Sequence, residues 1–421
     1  MKFTELNLNE SLLEAIGYMG FENATPIQEA AIPKILDNKD ILACAQTGTG
    51  KTGAFVLPIL HKLAHNENNC VDTLILVPTR ELAVQIEQQI QGLAYFISVS
   101  SMAIYGGGSG DKWNDQKAAL NGGADIIVAT PGKLLSHLKM NNANFSKVKH
   151  LILDEADRML DMGFIDDLKA IIKYLPEKRQ TLLFSATMAK SIRGLASDLL
   201  KNQEEINLGI AKPAEGVDHK IYMAHENQKI QVLCKIFKER PTFESIIVFT
   251  SSKMKVGEIT KALNKNGFKA KGISSNLEQE NREEVLRGFR SRRIRILVAT
   301  DVMSRGIDIK EINMVINYDV PNDAADYVHR VGRTARANTT GEAFTLVNEK
   351  DIQKVHKIEK LIEQEIEKVP TPEEFGEAPV WKPFIKKPGN SKGYKGGNNS
   401  NKKKKKFYPK KNKLNNPPKQ S

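Results

Sequence analysis

The chain has 421 residues, 40% apolar and 27% charged, enough for two or three domains that each bury a core. No run approaches the roughly 18 apolar residues of a membrane span, and the opening MKFTELNLNE has neither the apolar core nor the cleavage site of a secretion signal. A cytoplasmic protein is expected. Cys44, Cys70 and Cys234 are odd in number, far apart and form no CxxC pair, which argues against a disulfide framework or a zinc site. The formal charge is +12, but residues 379–421 hold 14 Lys with no Arg and no acid; setting these aside leaves −2 on residues 1–378. The basic character belongs to the C-terminal end, and any groove for a polyanion in the body must be local.

In chain order, short apolar runs predict strands at 40–44, 73–77, 98–104, 125–129, 150–154 and 180–185, with helical spacing between them, as at 80–93 and 165–175. The segment 209–216, with Pro213 and two glycines, breaks the periodicity. The rhythm then restarts, with strands expected at 219–224, 245–250, 269–273, 295–299, 314–317 and 343–347. Strands alternating with helices predict an α/β protein with two parallel sheets. Beyond 370 prolines accumulate, and from 389 Gly, Asn, Ser and Lys dominate, a composition that cannot offset its conformational entropy. The expected division is a first domain over 1–208, a linker at 209–216, a second domain over 217–370 and a disordered basic tail over 371–421.

The first strand runs into Ala45-Gln46-Thr47-Gly48-Thr49-Gly50-Lys51-Thr52 and then a helical stretch. A glycine-containing turn at a helix N-terminus directs backbone N–H groups at an anion, the geometry that cradles phosphates. Lys51 is placed to reach the β and γ phosphates and the Thr52 hydroxyl to bind Mg²⁺. Ala45 stands where the general pattern has its first Gly. About a hundred residues on, an apolar strand ends in Asp154-Glu155-Ala156-Asp157. Asp154 is then a second Mg²⁺ ligand, and Glu155 orients or deprotonates an attacking water.

Residues 154–157 spell the name of the DEAD-box RNA helicases, and the chain resembles that family from Phe3 to about Val347. Phe21, Thr25-Pro26 and Gln28, with Phe3 upstream, are similar to its Q motif, which implies that Gln28 bonds the adenine edge and that Phe21, rather than Phe3, packs on the base. Pro78-Thr79-Arg80, Gly106-Gly107 and Thr130-Pro131-Gly132-Lys133 resemble the RNA-backbone motifs; Lys133 stands where the family often has Arg, keeping the charge without the bidentate fork. Ser185-Ala186-Thr187 resembles the motif that links nucleotide state to strand separation. In the second half Thr250, Gln279 with Arg282, Thr300-Asp301 and Asp308 match later motifs, with Ser274-Ser275 where His-Gly is common. The run from His329 through Arg330 and Arg333 to Arg336, with Ala335 in place of the usual Gly, resembles the motif that supplies arginine fingers. The resemblance implies catalytic roles for Lys51, Asp154, Glu155, His329, Arg333 and Arg336. It implies nucleotide contacts for Phe21, Gln28, Thr47, Gly48, Thr49, Gly50, Lys51, Thr52 and Asp301. RNA contacts fall to residues 78–80, 106–107, 130–132, Thr250, Gln279, Arg282 and Thr300, and interdomain coupling to Asp157, Ser185, Thr187, Asp308 and Arg330.

Two tandem RecA-like domains, ATP with Mg²⁺, RNA as partner and a monomer are the expectations that follow. ATP would close the domains on one bent RNA strand and hydrolysis to ADP and phosphate would release it, separating a few base pairs at a time. The tail, with Tyr394, Phe407 and Tyr408 among its lysines, is a second RNA anchor in this reading. An ATP-gated RNA clamp and a DNA-translocating helicase are the competing readings. The short basic tail is similar to that of the bacterial RhlE-like branch, and ribosome assembly, cold adaptation and mRNA decay are all left open as pathways.

Overall fold

A computed structural model of the chain describes residues 1–45, 48–64, 70–106, 111–209, 216–274, 277–301, 312–334 and 341–381, without the side chains of 111, 112 and 279. Of the residues singled out above, Gln46, Thr47, Gly107, Pro213, Ser275, Asp308, Ala335 and Arg336, the Gln279 side chain, and Tyr394, Phe407, Tyr408 and the lysines of the tail lie outside that description.

The first half folds as β1 (Ile41–Cys44), β2 (Thr73–Leu76), β3 (Ser101–Ile104), β4 (Ile126–Ala129), β5 (His150–Leu153), β6 (Gln180–Ser185) and β7 (Glu204–Asn207). The second contributes β8 (Val217–Met223), β9 (Ile246–Phe249), β10 (Ala270–Ile273), β11 (Ile296–Ala299), β12 (Met314–Asn317), β13 (Gly341–Val347) and β14 (Glu367–Val369). Central strands such as ILAC, TLIL and IIVA are buried throughout, as expected where helices cover both faces of a parallel sheet. The first sheet has the order β3-β4-β2-β5-β6-β1-β7 and the second β10-β11-β9-β12-β13-β8-β14. Adding seven to each strand of the first order gives the second, so one topology is built twice.

Helices α1 (Glu10–Tyr18), α2 (Pro26–Leu36), α3 (Lys51–Leu63) and α4 (Arg80–Leu93) cover one face of the first sheet, where Ile41 and Ala43 meet Leu12, Ile27, Phe55 and Ile86. On the other face Leu42 joins residues of α6 (Pro131–Lys139), α7 (Ala156–Asp161), α8 (Ile165–Ile172) and α9 (Lys190–Leu199). α5 (Asp111–Ala118) follows β3. Around the second sheet stand α10 (Lys229–Lys238), α11 (Lys253–Lys265), α12 (Gln279–Arg290), α13 (Ala324–Val331) and α14 (Ile352–Ile362). Each fully buried Leu, Ile or Phe contributes about 1.5–3 kcal/mol, so these cores hold the loops at the strand ends in place.

Two differences from the sequence reading stand out. The strands β7 and β14, EEIN and EKV, were not expected; both are charged edge strands, which carry no apolar run for a pattern to find. The boundary placed at 371 moves as well. Thr371 donates to the Met223 carbonyl, Gln228 Nε2 donates to the carbonyls of Phe375 (2.9 Å) and Glu377 (3.0 Å), and the Trp381 ring lies 5.4 Å from that of His356. With Phe375 and Trp381 packed on the apolar clusters of the second domain, these bonds hold residues 371–381 to it.

Candidate active site

The turn between β1 and α3 is set by glycine and closed by Gln28. Gly48 and Gly50 have φ of +89° and +90°, in the left-handed region. A Cβ on Gly50 would lie 2.7 Å from Gln28 Nε2 and 2.8 Å from Thr25 Oγ1. Gln28, in the first turn of α2, accepts from the Thr25 N–H (2.9 Å) through Oε1 and donates to the Gly50 carbonyl (3.0 Å) through Nε2. It therefore ties the start of α2 to the phosphate turn, and its carboxamide keeps one N–H and one lone pair for a further partner. Lys51 opens α3, is buried, and its Nζ has no hydrogen-bond partner among the described residues. A buried ammonium left so is costly, and a phosphate oxygen is the partner its position fits.

Across from it, β5 delivers two carboxylates with opposite electrostatics. Asp154 Oδ1 accepts from the Glu155 N–H (2.9 Å), and burial pushes this carboxyl up to about 6 against the pull of Lys51. For Glu155 burial pushes upward too, but Arg158, Lys51 and Arg333 outweigh it and hold the carboxyl below its ordinary value. Arg158 Nη1 donates to Glu155 Oε2 at 2.6 Å. Glu155 itself has φ +50° and ψ +49°, a conformation that costs a non-glycine residue on the order of 1 kcal/mol or more. Arg158 was missed by the sequence reading; the i,i+3 spacing on α7 was the available signal. Asp154 and Thr52 offer two oxygen donors, the small protein share that Mg²⁺ takes when phosphates and water supply the rest.

These groups line one cavity of about 370 Å³. Phe3, Ile16, Met19, Phe21 and Leu93 form an apolar end, and Lys51, Thr52, Asp154 and Glu155 a polar one. Phe21 is 54% exposed and Phe3 only 5%, so Phe21 is the aromatic free to cover a flat base, while Phe3 belongs to the core. Arg333, from the second domain, reaches the polar end. A second cavity, of about 240 Å³, brings His329 and Arg333 beside Glu155 and Thr187. The first-domain residues expected to couple nucleotide and RNA lie together: Asp157 Oδ2 accepts from the Ala186 N–H (3.2 Å), and Ser185 Oγ donates to the Thr187 carbonyl (2.8 Å).

Other expected contacts are placed differently. Arg330 is bidentate to Asp301 (2.6 and 2.7 Å) and also bonds Asn317 and the Asp319 carbonyl, all within the second domain. Asp301 is thus held by Arg330, and it does not line the nucleotide cavity. Thr250 is fully buried with its hydroxyl given to Asp319 Oδ2 (2.7 Å), leaving no exposed side chain for RNA. Arg80 pairs with Glu283 (2.5 Å) and Arg282 with Glu81 (3.2 Å), so the two expected RNA arginines cross between the domains to acids. Pro78, Thr79, Gly106, Thr130, Pro131, Gly132 and Thr300 stand at or just beyond the C-terminal ends of β2, β3, β4 and β11, where loops of open α/β sheets take ligands.

The duplicated topology shows why only one half carries this site. Lys229 opens the helix after β8 as Lys51 opens the helix after β1. Its Nζ, however, is fully buried and bonded to the Tyr318 carbonyl (2.9 Å) and Glu226 (3.0 Å), with Asp319 at 3.6 Å. Where the first domain leaves an ammonium for a phosphate, the second neutralises it with its own carboxylates.

A phosphate turn with an unpaired lysine, acids at a neighbouring strand tip and an arginine from a second, RecA-like sheet define a two-domain P-loop ATPase. Residues 25–195 match the family described as DEAD/DEAH box helicase, and 228–338 the helicase conserved C-terminal domain. The chain is 41% identical over 381 residues to the ATP-dependent RNA helicase CshA of Listeria monocytogenes, covering 90% of this chain and 71% of that one. It is 40% identical over 371 residues to the DEAD-box ATP-dependent RNA helicase CshA of Geobacillus kaustophilus, covering 88% and 78%. Among solved structures, S. cerevisiae Dbp5 bound to RNA and ADP BeF3 superposes with a TM-score of 0.80 at 31% identity, over 88% of this chain and 96% of that one. The chain belongs to the DEAD-box ATP-dependent RNA helicases.

Proposed function

We propose that this helicase opens short RNA duplexes locally, using ATP to close its two domains on a single strand, with residues 1–208 and 217–370, the latter carrying 371–381 with it, as the closing units. The observation that supports this most is the shared cavity, in which Lys51, Asp154 and Glu155 of one sheet meet Arg333 of the other. Lys51 neutralises phosphate charge, Gln28 and Phe21 hold the base, and Arg333 meets charge developing on the transferred phosphoryl group. Bound Mg²⁺, held by Asp154 and Thr52, would supply Lewis-acid stabilisation of that charge. Glu155 stays ionised and, fixed by Arg158, accepts a hydrogen bond from the attacking water and so orients it. Arg80 and Arg282, in the first turns of α4 and α12, lie at the domain boundary, where RNA and closure select the same state. Dbp5 is bound to RNA and ADP BeF3, and a further similar structure, Mss116p, to ssRNA and AMP-PNP, at 28% identity and a TM-score of 0.78. A cytoplasmic monomer acting in ribosome assembly or RNA decay fits the reading.

Glu155→Gln keeps size and hydrogen bonding while removing the charge. RNA-stimulated ATPase should fall by about 100-fold or more with nucleotide affinity retained. Full turnover in this variant would remove Glu155 from its role.

A further inference from the structure

The turn that opens α6 carries an aromatic support that the motif readings above do not use. Lys133 is the third residue of α6, directly after Thr130-Pro131-Gly132. Its Nζ stands 4.2 Å from the centroid of the Trp113 ring, on α5. That indole is stacked on the His137 imidazole, with centroids 3.8 Å and planes 18° apart. His137 is fully buried, and its Nε2 lies 3.1 Å from Oε1 of Gln116, which stands three residues along α5 from Trp113. The ring therefore rests on a fixed floor and presents a face to the lysine. Among the described residues Lys133 forms no ion pair with a carboxylate, so its charge is held by the ring and not cancelled.

This arrangement answers a deficit in the lysine itself. An arginine fork fixes its own approach to a phosphate, whereas an ammonium on four flexible carbons does not. A tryptophan face attracts a cation by about two- to fivefold in population at exposed sites, enough to select among rotamers. We propose that Trp113 is a positioning residue for RNA binding, holding the Lys133 ammonium at the first turn of α6 for a backbone phosphate of the bound strand. The inference rests on reading residues 130–132 as an RNA-backbone contact.

The test is binding of a labelled single-stranded oligoribonucleotide to the full chain with a non-hydrolysable ATP analogue, as a function of KCl. Lys133→Ala should weaken binding about three- to tenfold at low salt and flatten the log–log salt slope by about 0.7, one single-strand phosphate contact. Trp113→Ala should reproduce most of that loss, and the double variant should bind no worse than Lys133→Ala alone. Trp113→Phe, which keeps a π face, should recover affinity, while Trp113→Leu, which keeps apolar bulk, should not. If Lys133→Ala changes neither affinity nor slope, the RNA reading of this turn fails. If Lys133→Ala acts but the Trp113 loss adds to it, or Phe and Leu behave alike, the RNA reading stands and the positioning role is overturned.

Discussion

Lys51 and Lys229 are the same residue in two copies of one topology, and their surroundings make opposite predictions. Among the described residues the buried Lys51 ammonium has no hydrogen-bond partner and only the longer-range attraction of Asp154 and Glu155, a cost to the fold that a nucleotide relieves. Lys51→Met should therefore change the stability of the fold little, while abolishing ATP hydrolysis. Lys229→Met takes away the donor to the buried Tyr318 carbonyl and one of the two lysines that neutralise Asp319 and Glu226, leaving Lys255 as the other, and should cost on the order of 1–3 kcal/mol. Urea unfolding of the two variants checks the contrast, and equal effects would contradict it. The motifs made Lys51, Asp154 and Glu155 legible because strand, turn and helix follow one another in sequence. Nothing in the motifs showed that Thr250 would be sealed under Asp319 or that Arg330 would be spent on Asp301, since those partners lie 69 and 29 residues away.

At the scale of elements, the central strands were readable as apolar runs and the edge strands β7 and β14 were not, because their stability comes from pairing and not from their own composition. The elements also carry a property that no pattern announces. His137 on α6, His150 on β5 and His219 on β8 are buried, and burial pushes each imidazole down to about 4. Lys133 adds to this at His137 and Lys62 at His150, while Asp72 and Asp218 oppose it at His150 and His219. The unfolded chain takes up these protons near pH 6.5 and the folded chain only near 4, so their stability is complete above about 6.5 and lost as pH falls towards 4. Each histidine should remove on the order of 1–2 kcal/mol by pH 5, read as a lower urea midpoint than at pH 7. A midpoint unchanged between pH 7 and pH 5 would contradict this.

Across the whole molecule, the described residues of the two domains meet at the nucleotide cavity, at the second cavity beside His329, and at the crossed pairs Arg80–Glu283 and Arg282–Glu81. Exposed pairs are worth little, but Arg282 and Glu81 are both largely buried. Glu81→Arg and Arg282→Glu should each raise the RNA concentration for half-maximal ATPase about tenfold, and the double exchange should restore it if the pair serves closure. Failure of the double variant would assign Arg282 to RNA instead. The central claim is that an arginine of the second domain completes the ATP site of the first, and Arg333→Ala tests it most directly in single-turnover ATP hydrolysis with saturating RNA. The rate should drop by about 10³-fold, as for other arginine fingers, with ATP affinity within about threefold of the parent. A rate within a few-fold of the parent would show that the first domain hydrolyses ATP without the second.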